Sequence, residues 1–298
     1  MDHARINRQN GAVLIVVVGI VMIMALAVLA KFALVDIERK LTKQTGVGST
    51  LSKIDSALAN FVAQNKRLPC PANGTIASGT ANAGIESPFP ATGLCTPANQ
   101  NNGVVPWVTL GISENDATDP WNGRISYRVQ PALASSVTKL MDMSWCDPAG
   151  TTTGASGLAL ACTAACAGAA CMHPLNFLYS KGLQVQDGAG TWLNRPAPPW
   201  APVAPPPPNS DGAAYVLISH GPTGAGAHNK NGVFQPGSAT VGTNELLNQN
   251  NQPLTGASIF MDAKLDSSLT AAHFDDYLSH PSISTVLINA SLAPRTPH

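Results

Sequence analysis

The sequence predicts an α+β protein. We expect a long N-terminal helix, with a transmembrane first half and an amphipathic second half, packed on a small antiparallel β-sheet with long loops. Two observations predict this fold class. An uncharged apolar run extends from Gly11 to Ala30, and apolar residues then continue at helical spacing as far as Phe61. Over the rest of the chain, turn signals separate short runs that have the composition of strands.

The run from Gly11 to Ala30 has the length of a membrane span. At roughly 1.5 Å per residue it makes about 28 Å of helix, close to the roughly 30 Å thickness of the hydrocarbon core. A backbone in lipid has to satisfy its own hydrogen bonds, and a helix does so. Positive charges leave the orientation open, because they stand on both sides of the run: Arg5, Arg8, Lys31, Arg39, Lys40 and Lys43.

Two other interpretations of the N-terminus stay open. A secretory signal has a shorter apolar core and a cleavage site of small residues, which Ala25-Leu26-Ala27 offers. A plain uncleaved anchor is the other alternative. Cysteine usage favours export of the part that follows, because six cysteines suit disulfides in an oxidising compartment: Cys70, Cys95, Cys146, Cys162, Cys166 and Cys171.

Beyond Lys31 the helical pattern continues to about Gln64. The apolar stripe has steps of three or four residues, with Gln44 and Gly48 filling the steps between Leu41 and Leu51; its apolar members are Leu34, Ile37, Leu41, Leu51, Ile54, Leu58 and Phe61. Gly46 and Gly48 predict a kink or a brief break, since glycine costs roughly 1 kcal/mol in a helix interior. Pro69 and Pro71 end the pattern.

The remainder of the chain predicts strands and loops. It is rich in Gly and Pro, and the whole chain has a formal net charge of zero, which argues against a nucleic-acid partner. Asn122-Gly123 predicts a tight turn before a half-buried strand at 125–129. Tyr215 to Ile218 suits a central strand, and Asn231-Gly232 a second turn. We expect an insertion at 142–212, rich in Cys and Pro, and a weak edge strand at 282–292.

The N-terminal pattern resembles that of type IV pilins and of the pseudopilins of type II secretion. The shared features are a short basic leader ending in glycine, an apolar helix that begins immediately and an amphipathic continuation. Later stretches are also similar to blocks of that family. They are RLPCP at 67–71, VPWVTLG at 105–111, DPWNGRISY at 119–127, AYVLISHG at 214–221 and FDD at 274–276.

The resemblance implies a leader at 1–11, a helix at 12–66 and a periplasmic β domain at 67–298. Prepilin peptidase would cut after Gly11, and the new N-terminal residue, Ala12, would be methylated. The chain would be a single-pass inner-membrane protein in contact with membrane lipid, until an assembly platform moves it into a filament of other pilin or pseudopilin subunits. The implied function is structural, without enzymatic activity or a cofactor.

One position departs from the family pattern. Most members carry glutamate at the fifth mature position, where it is thought to pair with the N-terminal ammonium of a neighbouring subunit. Here that position is Val16, so the pair cannot form. In the family, a large pseudopilin without this glutamate lies at the filament tip. We therefore expect a minor, tip or initiating subunit, and the sequence leaves open whether it serves secretion, a pilus or DNA uptake.

Candidate chemistry outside the helix is weak. Cys162, Cys166, Cys171 and His173 offer zinc ligands, but the spacing favours disulfides, and Cys70 would pair with Cys95 across a glycine-rich loop. A calcium site would use Asp262, Asp266, Asp275 and Asp276, although no matching calcium-binding loop is evident. The glycines at 221, 224 and 226 suit a flexible turn better than a phosphate loop, because the lysine and the following helix pattern are missing. Trp107, Trp121 and Tyr127 are expected in the core.

Two rival function classes remain. One is a membrane-anchored, exported binding or adhesion protein that does not polymerise. The other is an exported hydrolase, which would need Ser219, Cys166 or His173 in a pocket with a partnered base. Ser219 and His220, with the aspartates at 275 and 276, supply the residue types. Against it, no nucleophile elbow is present, and adjacent residues on a strand point to opposite faces.

Overall fold

The computed structural model describes residues 3–86, 95–96, 100–136, 141, 181–196, 211–236, 242–250, 253–255, 257–268 and 270–292. The chain divides into two units, Met1–Gly46 and Val47–His298. The first helix, α1, spans His3–Asn65 and continues through Gly46 and Gly48, where the sequence predicted a kink or a break. Side chains of α1 are described at 18–31, 38 and 40–65.

The predicted transmembrane half of the fold is not supported. In the described part of the chain, no helix combines the length and the apolar character needed to cross a membrane. In this part of α1 the structure describes the side chains from Val18 to Lys31. The predicted pilin-like fold class and the predicted single-pass location in the inner membrane are therefore corrected.

The second part of α1 belongs to the core of the larger unit. Val47, Ile54, Leu58 and Val62 are fully buried at spacings of seven and four residues, so one face of the helix packs inward. The helix ends at Asn65, and Lys66 follows with a left-handed φ of 57° while its amide donates to the Val62 carbonyl over 2.9 Å. This is the usual way in which a helix closes its last turn.

The main sheet has five antiparallel strands. They are β1 (Ala72–Asn73), β2 (Gly103–Val104), β4 (Ser126–Val129), β7 (Tyr215–Ser219) and β10 (Tyr277–Ser279), in that order across the sheet. β7 was predicted as a central strand, and it pairs with β4 on one side and β10 on the other. The predicted turn at Asn122-Gly123 is confirmed by a left-handed φ of 68° at Asn122.

Two smaller sheets correct the expectation of a single antiparallel sheet. β3 (Gly123–Arg124) pairs with β8 (His228–Asn229). The third sheet has the order β6 (Trp192–Asn194), β5 (Gln184–Asp187), β9 (Ile259–Asp262), and its β5–β9 pair is parallel. Two of these strands lie inside the predicted insertion, most of which lies outside the described residues.

The main sheet is buried on both faces. Tyr215 and Leu217 of β7 share a core with the second part of α1, whereas Val216 and Ile218 share a second core with Val185. The same double burial affects β4, which was predicted to be half-buried. Ser126 and Arg128, expected on a solvent face, are 0% and 2% exposed because polar groups cover them.

Two short helices complete the described fold. α2 spans Thr243–Asn248 and α3 spans Ile283–Asn289. The predicted edge strand at 282–292 is thus wrong. The Ser282 side chain caps α3 by accepting from the Thr285 amide, and Ile283, Val286 and Leu287 are buried at helical spacing.

A disulfide joins Cys70 and Cys95, as predicted. Its sulfurs are 2.00 Å apart and it closes a loop with a sequence separation of 25 residues. Closing a loop of this length typically stabilises a fold by about 3 kcal/mol. The other four cysteines, Cys146, Cys162, Cys166 and Cys171, lie outside the described residues.

Candidate functional site

Polar side chains gather where β7 ends and β10 begins. In this antiparallel pair, Ser219 at the end of β7 is opposite Tyr277 at the start of β10. The residues after β7 therefore lie beside those before β10, which brings His220 next to Asp275 and Asp276. The short helix α2 covers this corner and contributes Glu245.

Two glycines allow these segments to approach. Gly221 has a left-handed φ of 55°, and a Cβ there would lie 2.2 Å from the Asp275 carbonyl oxygen. Gly242, which precedes α2, would place a Cβ against the His273 carbonyl oxygen. No side chain fits at either position, so glycine is required for the loop after β7, the start of α2 and the segment at 273–276 to meet.

Two carboxylates meet at Thr223. Its amide donates to Asp275 Oδ2 over 2.9 Å, and its hydroxyl lies 3.0 Å from Asp275 Oδ1 and 3.2 Å from Glu245 Oε1. The Gly242 amide donates to Glu245 Oε2 over 3.1 Å. Burial, the hydrogen bond with Asp275 and the charges of Asp276 and Asp275 raise the pKa of Glu245 to about 8, although the Gly242 amide opposes the shift.

His273 completes this group. Its Nδ1 lies 3.0 Å from the Ser268 carbonyl oxygen, so Nδ1 carries the proton that it donates. Its Nε2 has no hydrogen-bond partner among the described residues, although the side chain is buried, and lies 3.8 Å from Asp275 Oδ2. One ligand atom each from Glu245, His273 and Asp275 lie within 4.8 Å of one another. We call these three residues the carboxylate–histidine cluster.

A second set of polar groups has the atom order of a catalytic triad. Ser126 Oγ lies 2.8 Å from His220 Nε2, and His220 Nδ1 lies 3.4 Å from Asp276 Oδ1. The Asn248 amide group donates to the other Asp276 oxygen over 2.8 Å. Ser126 and His220 are fully buried, so this serine is not exposed as a nucleophile in the structure.

Ser219 and His220, the residues of the predicted hydrolase alternative, do not act together. Ser219 donates to Asp119 Oδ2 over 2.8 Å, whereas His220 contacts Ser126 and Asp276. Burial raises the pKa of both Asp119 and Asp276, and hydrogen bonds to their carboxylates work in the opposite direction.

The four predicted calcium ligands are not brought together as a set. Asp262, at the end of β9, lies 3.1 Å from His280 Nε2, and Asp266 accepts from the Ser268 amide over 2.7 Å. Asp276 bonds Asn248. Of the four, only Asp275 belongs to the carboxylate–histidine cluster.

The other predicted site residues are placed as follows. Gly11, Ala12 and Val16 lie within α1, and their side chains fall outside the described part. His173 and the four cysteines at 146, 162, 166 and 171 also fall outside it. The glycines at 221, 224 and 226 all have left-handed φ values and form turns, as expected. Trp107 and Tyr127 are in the core, and Trp121 stacks on Tyr277.

A second candidate is the exposed apolar part of α1. Nine large apolar side chains are between 50% and 69% exposed, namely Val18, Ile20, Val21, Met22, Ile23, Met24, Leu26, Val28 and Leu29. Five of them are consecutive, from Ile20 to Met24, and at 100° per residue they point to every side of the helix. We call this stretch the apolar collar.

Sequence reasoning missed Glu245, His273, Thr223 and Ser126. A signal existed for Glu245, because it stands three residues after Gly242, where a glutamate often caps a helix start. His273 has no such signal, since the contact between the start of α2 and residues 271–273 brings it beside Glu245.

The chain matches no model of a known protein family, no curated protein and no solved structure.

Proposed function

We propose that this chain is a non-catalytic structural subunit of a filament of the type IV pilus or type II secretion kind. One observation carries the proposal, namely the apolar collar of α1. A helix that is apolar on every side needs cover on every side, and one partner face is not enough. Several helices of neighbouring subunits packed around the collar supply that cover.

The energy available from such packing is large. Full burial of an aliphatic side chain contributes about 1.5–3 kcal/mol, and the collar offers nine partly exposed ones. The collar has no charged residue between Val18 and Leu29, so neighbouring copies meet without an electrostatic penalty. Association of identical subunits through one helix therefore needs no additional binding site.

Two features of the larger unit support a structural function. The Cys70–Cys95 disulfide suits work in an oxidising compartment, where filaments of this kind assemble. The serine–histidine–aspartate arrangement at Ser126 is buried, which is compatible with a structural function.

The proposal includes processing after Gly11 by prepilin peptidase, with Ala12 as the mature N-terminal residue. Its partners are then other pilin or pseudopilin subunits, the peptidase and an assembly platform. Because Val16 replaces the glutamate expected from the resemblance, we place the chain among minor, tip or initiating subunits.

The test compares two glutamate substitutions at exposed apolar positions. Ile23→Glu puts a charge in the collar, and Ile288→Glu puts one on α3, where the side chain is 74% exposed. We expect Ile23→Glu to reduce the fraction that sediments with sheared filaments at least tenfold, and Ile288→Glu to leave it within twofold of wild type. Intact mass of the filament-bound chain is expected to show a start at Ala12, lost without the peptidase.

Other outcomes would contradict the proposal. If wild-type protein stays out of the filament fraction and keeps its first residue, Met1, a binding protein that does not polymerise is the better description. If both glutamate variants assemble as wild type does, the collar is not the contact surface.

A further inference from the structure

We propose that the carboxylate–histidine cluster of Glu245, His273 and Asp275 binds one divalent transition-metal ion of the zinc class. The site would be structural and would join three segments of the larger unit: helix α2, the loop after β7 and the segment before β10. This inference is independent of the filament proposal, since it concerns the interior of residues 47–298.

The orientation of His273 is the first argument. Its side chain is more than nine-tenths buried, and its Nε2 has no hydrogen-bond partner among the described residues. Because Nδ1 donates its proton to the Ser268 carbonyl, Nε2 presents a lone pair to the cluster. A buried nitrogen without a partner costs free energy, and a metal ion would remove that cost.

Backbone groups fix the two carboxylates of the cluster, as the Ser268 carbonyl fixes His273. Asp275 accepts from the Thr223 amide, and Glu245 accepts from the Gly242 amide, so each ligand has a fixed second partner. Metal-binding residues in proteins characteristically carry such outer hydrogen bonds, and a histidine ligand typically donates its other N–H to a carbonyl or a carboxylate. All three residues of the cluster have this feature.

The distances are compatible with a small ion. Bonds of about 2.0–2.2 Å at tetrahedral angles bring ligand atoms to about 3.3–3.6 Å from one another. His273 Nε2 and Asp275 Oδ2 are 3.8 Å apart, and all three ligand atoms lie within 4.8 Å. Closure on an ion therefore needs movements of about 1 Å, which rotation of the Glu245 side chain supplies.

The donor set selects the class of ion. One imidazole nitrogen and two carboxylate oxygens suit zinc, whereas calcium and magnesium prefer oxygen ligands alone and calcium takes six to eight of them. Three protein ligands leave a fourth position for water or for the Thr223 hydroxyl, which already lies at hydrogen-bond distance from both carboxylates. Full burial of Glu245 favours a structural site over a catalytic one.

The experiment uses the full-length chain, stripped of metal by a chelator, with any free thiols alkylated so that cysteines do not bind the probe. ZnCl₂ is titrated while bound zinc is counted by mass spectrometry and the melting temperature is followed. We expect one zinc ion per chain and a rise in melting temperature with zinc concentration.

Three variants make the test specific. Glu245→Gln keeps the shape and removes a ligand, and we expect it to bind zinc at least tenfold more weakly while its metal-free melting temperature stays near that of wild type. His273→Gln should lose binding to a similar extent. The matched control is His280→Gln, which removes a histidine that lies 3.1 Å from Asp262 and that forms no three-residue metal cluster among the described residues. It should bind zinc as wild type does.

Several results would overturn the proposal. Absence of stoichiometric zinc binding to the wild-type chain is one. Zinc binding that survives Glu245→Gln and His273→Gln would place the ion elsewhere. Stabilisation by CaCl₂ but not by ZnCl₂ would show that the class of ion is wrong.

Discussion

Two stretches of α1 have similar side chains and opposite exposure. Between Val18 and Leu29, the large apolar residues are at least half exposed. Between Val47 and Val62, apolar residues at helical spacing are buried in the core. The second stretch stabilises the fold of its own unit, whereas the large apolar side chains of the first are at least half exposed.

The difference also appears in the pattern of polar residues. The buried stretch is amphipathic, with Ser52, Lys53 and Ser56 on its exposed side. The collar has no polar side, because its residues from Ile20 to Leu29 are apolar throughout. An amphipathic stretch fits one core, and a stretch that is apolar all round fits a position surrounded by partners. The comparison therefore predicts stability effects in one stretch and assembly effects in the other.

The largest difference is expected from two identical substitutions, Leu58→Ala and Leu26→Ala. Leu58 is fully buried, so its truncation leaves a cavity and should lower the free energy of unfolding by about 2–5 kcal/mol. Leu26 is 65% exposed, and its truncation should change that free energy by about 0.5 kcal/mol or less. Urea unfolding followed by tryptophan fluorescence measures both values, because Trp107 lies in the core.

Equal losses of stability in the two variants would break the comparison, since they would mean that the collar is buried within the chain. A second measurement, of assembly, sharpens the comparison between the two stretches. In the filament fraction, Leu26→Ala should be depleted although it is stable.

The next effect concerns acid. Lowering the pH should destabilise the larger unit, which contains the buried stretch and His228, and should leave the collar unchanged. Burial lowers the pKa of this histidine to about 4 from an ordinary value near 6.5, with the charges of Arg124 and His220 acting in the same direction. The unfolded chain therefore binds a proton first as the pH falls. The stabilisation is complete above pH 6.5 and is lost progressively down to about pH 4, by about 2–3 kcal/mol.

The measurement is the free energy of unfolding at pH 7, 5.5 and 4.5 for wild type and His228→Gln. The variant should lose less stability over this interval. Ser56→Ala, which changes no ionisable group, serves as the control and should keep the wild-type slope. The stretch from Val18 to Leu29 has no ionisable side chain, so acid should leave its helicity unchanged. Equal slopes in all three proteins would show that His228 is not responsible.

Local patterns predicted several elements, because the structure of these elements depends on residues that are neighbours in the sequence. The buried face of α1 at Ile54 and Leu58, the turn at Asn122-Gly123 and the central strand at Tyr215 follow from periodicity and turn chemistry. The Cys70–Cys95 disulfide was also predicted, since the two cysteines flank one glycine-rich loop.

Other features depend on contacts between distant segments. The sequence predicts Ser126 on the solvent-facing side of its strand. The residue is buried instead, because His220 and Asn250 cover it from other parts of the chain. The carboxylate–histidine cluster forms because the start of α2 packs on the segment before β10, where the Thr243 amide donates to the Ala271 carbonyl over 3.0 Å, and no spacing between Glu245 and His273 encodes that contact. The helix α3 was missed because weak alternation at 282–292 competed with a serine cap, and the cap decides the structure.

The smallest of the expected effects concerns the polar link between the buried stretch and the sheet. Asp55 Oδ1 accepts from the Tyr215 hydroxyl over 2.8 Å, and Asp55 Oδ2 accepts from the Ser279 hydroxyl over 2.7 Å. The link thus joins α1 to β7 and β10. Burial raises the pKa of Asp55, and both hydrogen bonds lower it in part.

Asp55→Ala would leave two hydroxyls without their acceptor, so we expect a loss of about 1–2 kcal/mol in the free energy of unfolding. Asp55→Asn keeps one acceptor oxygen and should lose less. Ser56→Ala, which removes an exposed hydroxyl bonded within the helix to the Ser52 carbonyl, should be nearly neutral. If Asp55→Ala is as neutral as Ser56→Ala, apolar burial alone holds this stretch of α1 to the sheet. The buried stretch and the collar would then differ only in whether their apolar side chains are buried within a single chain.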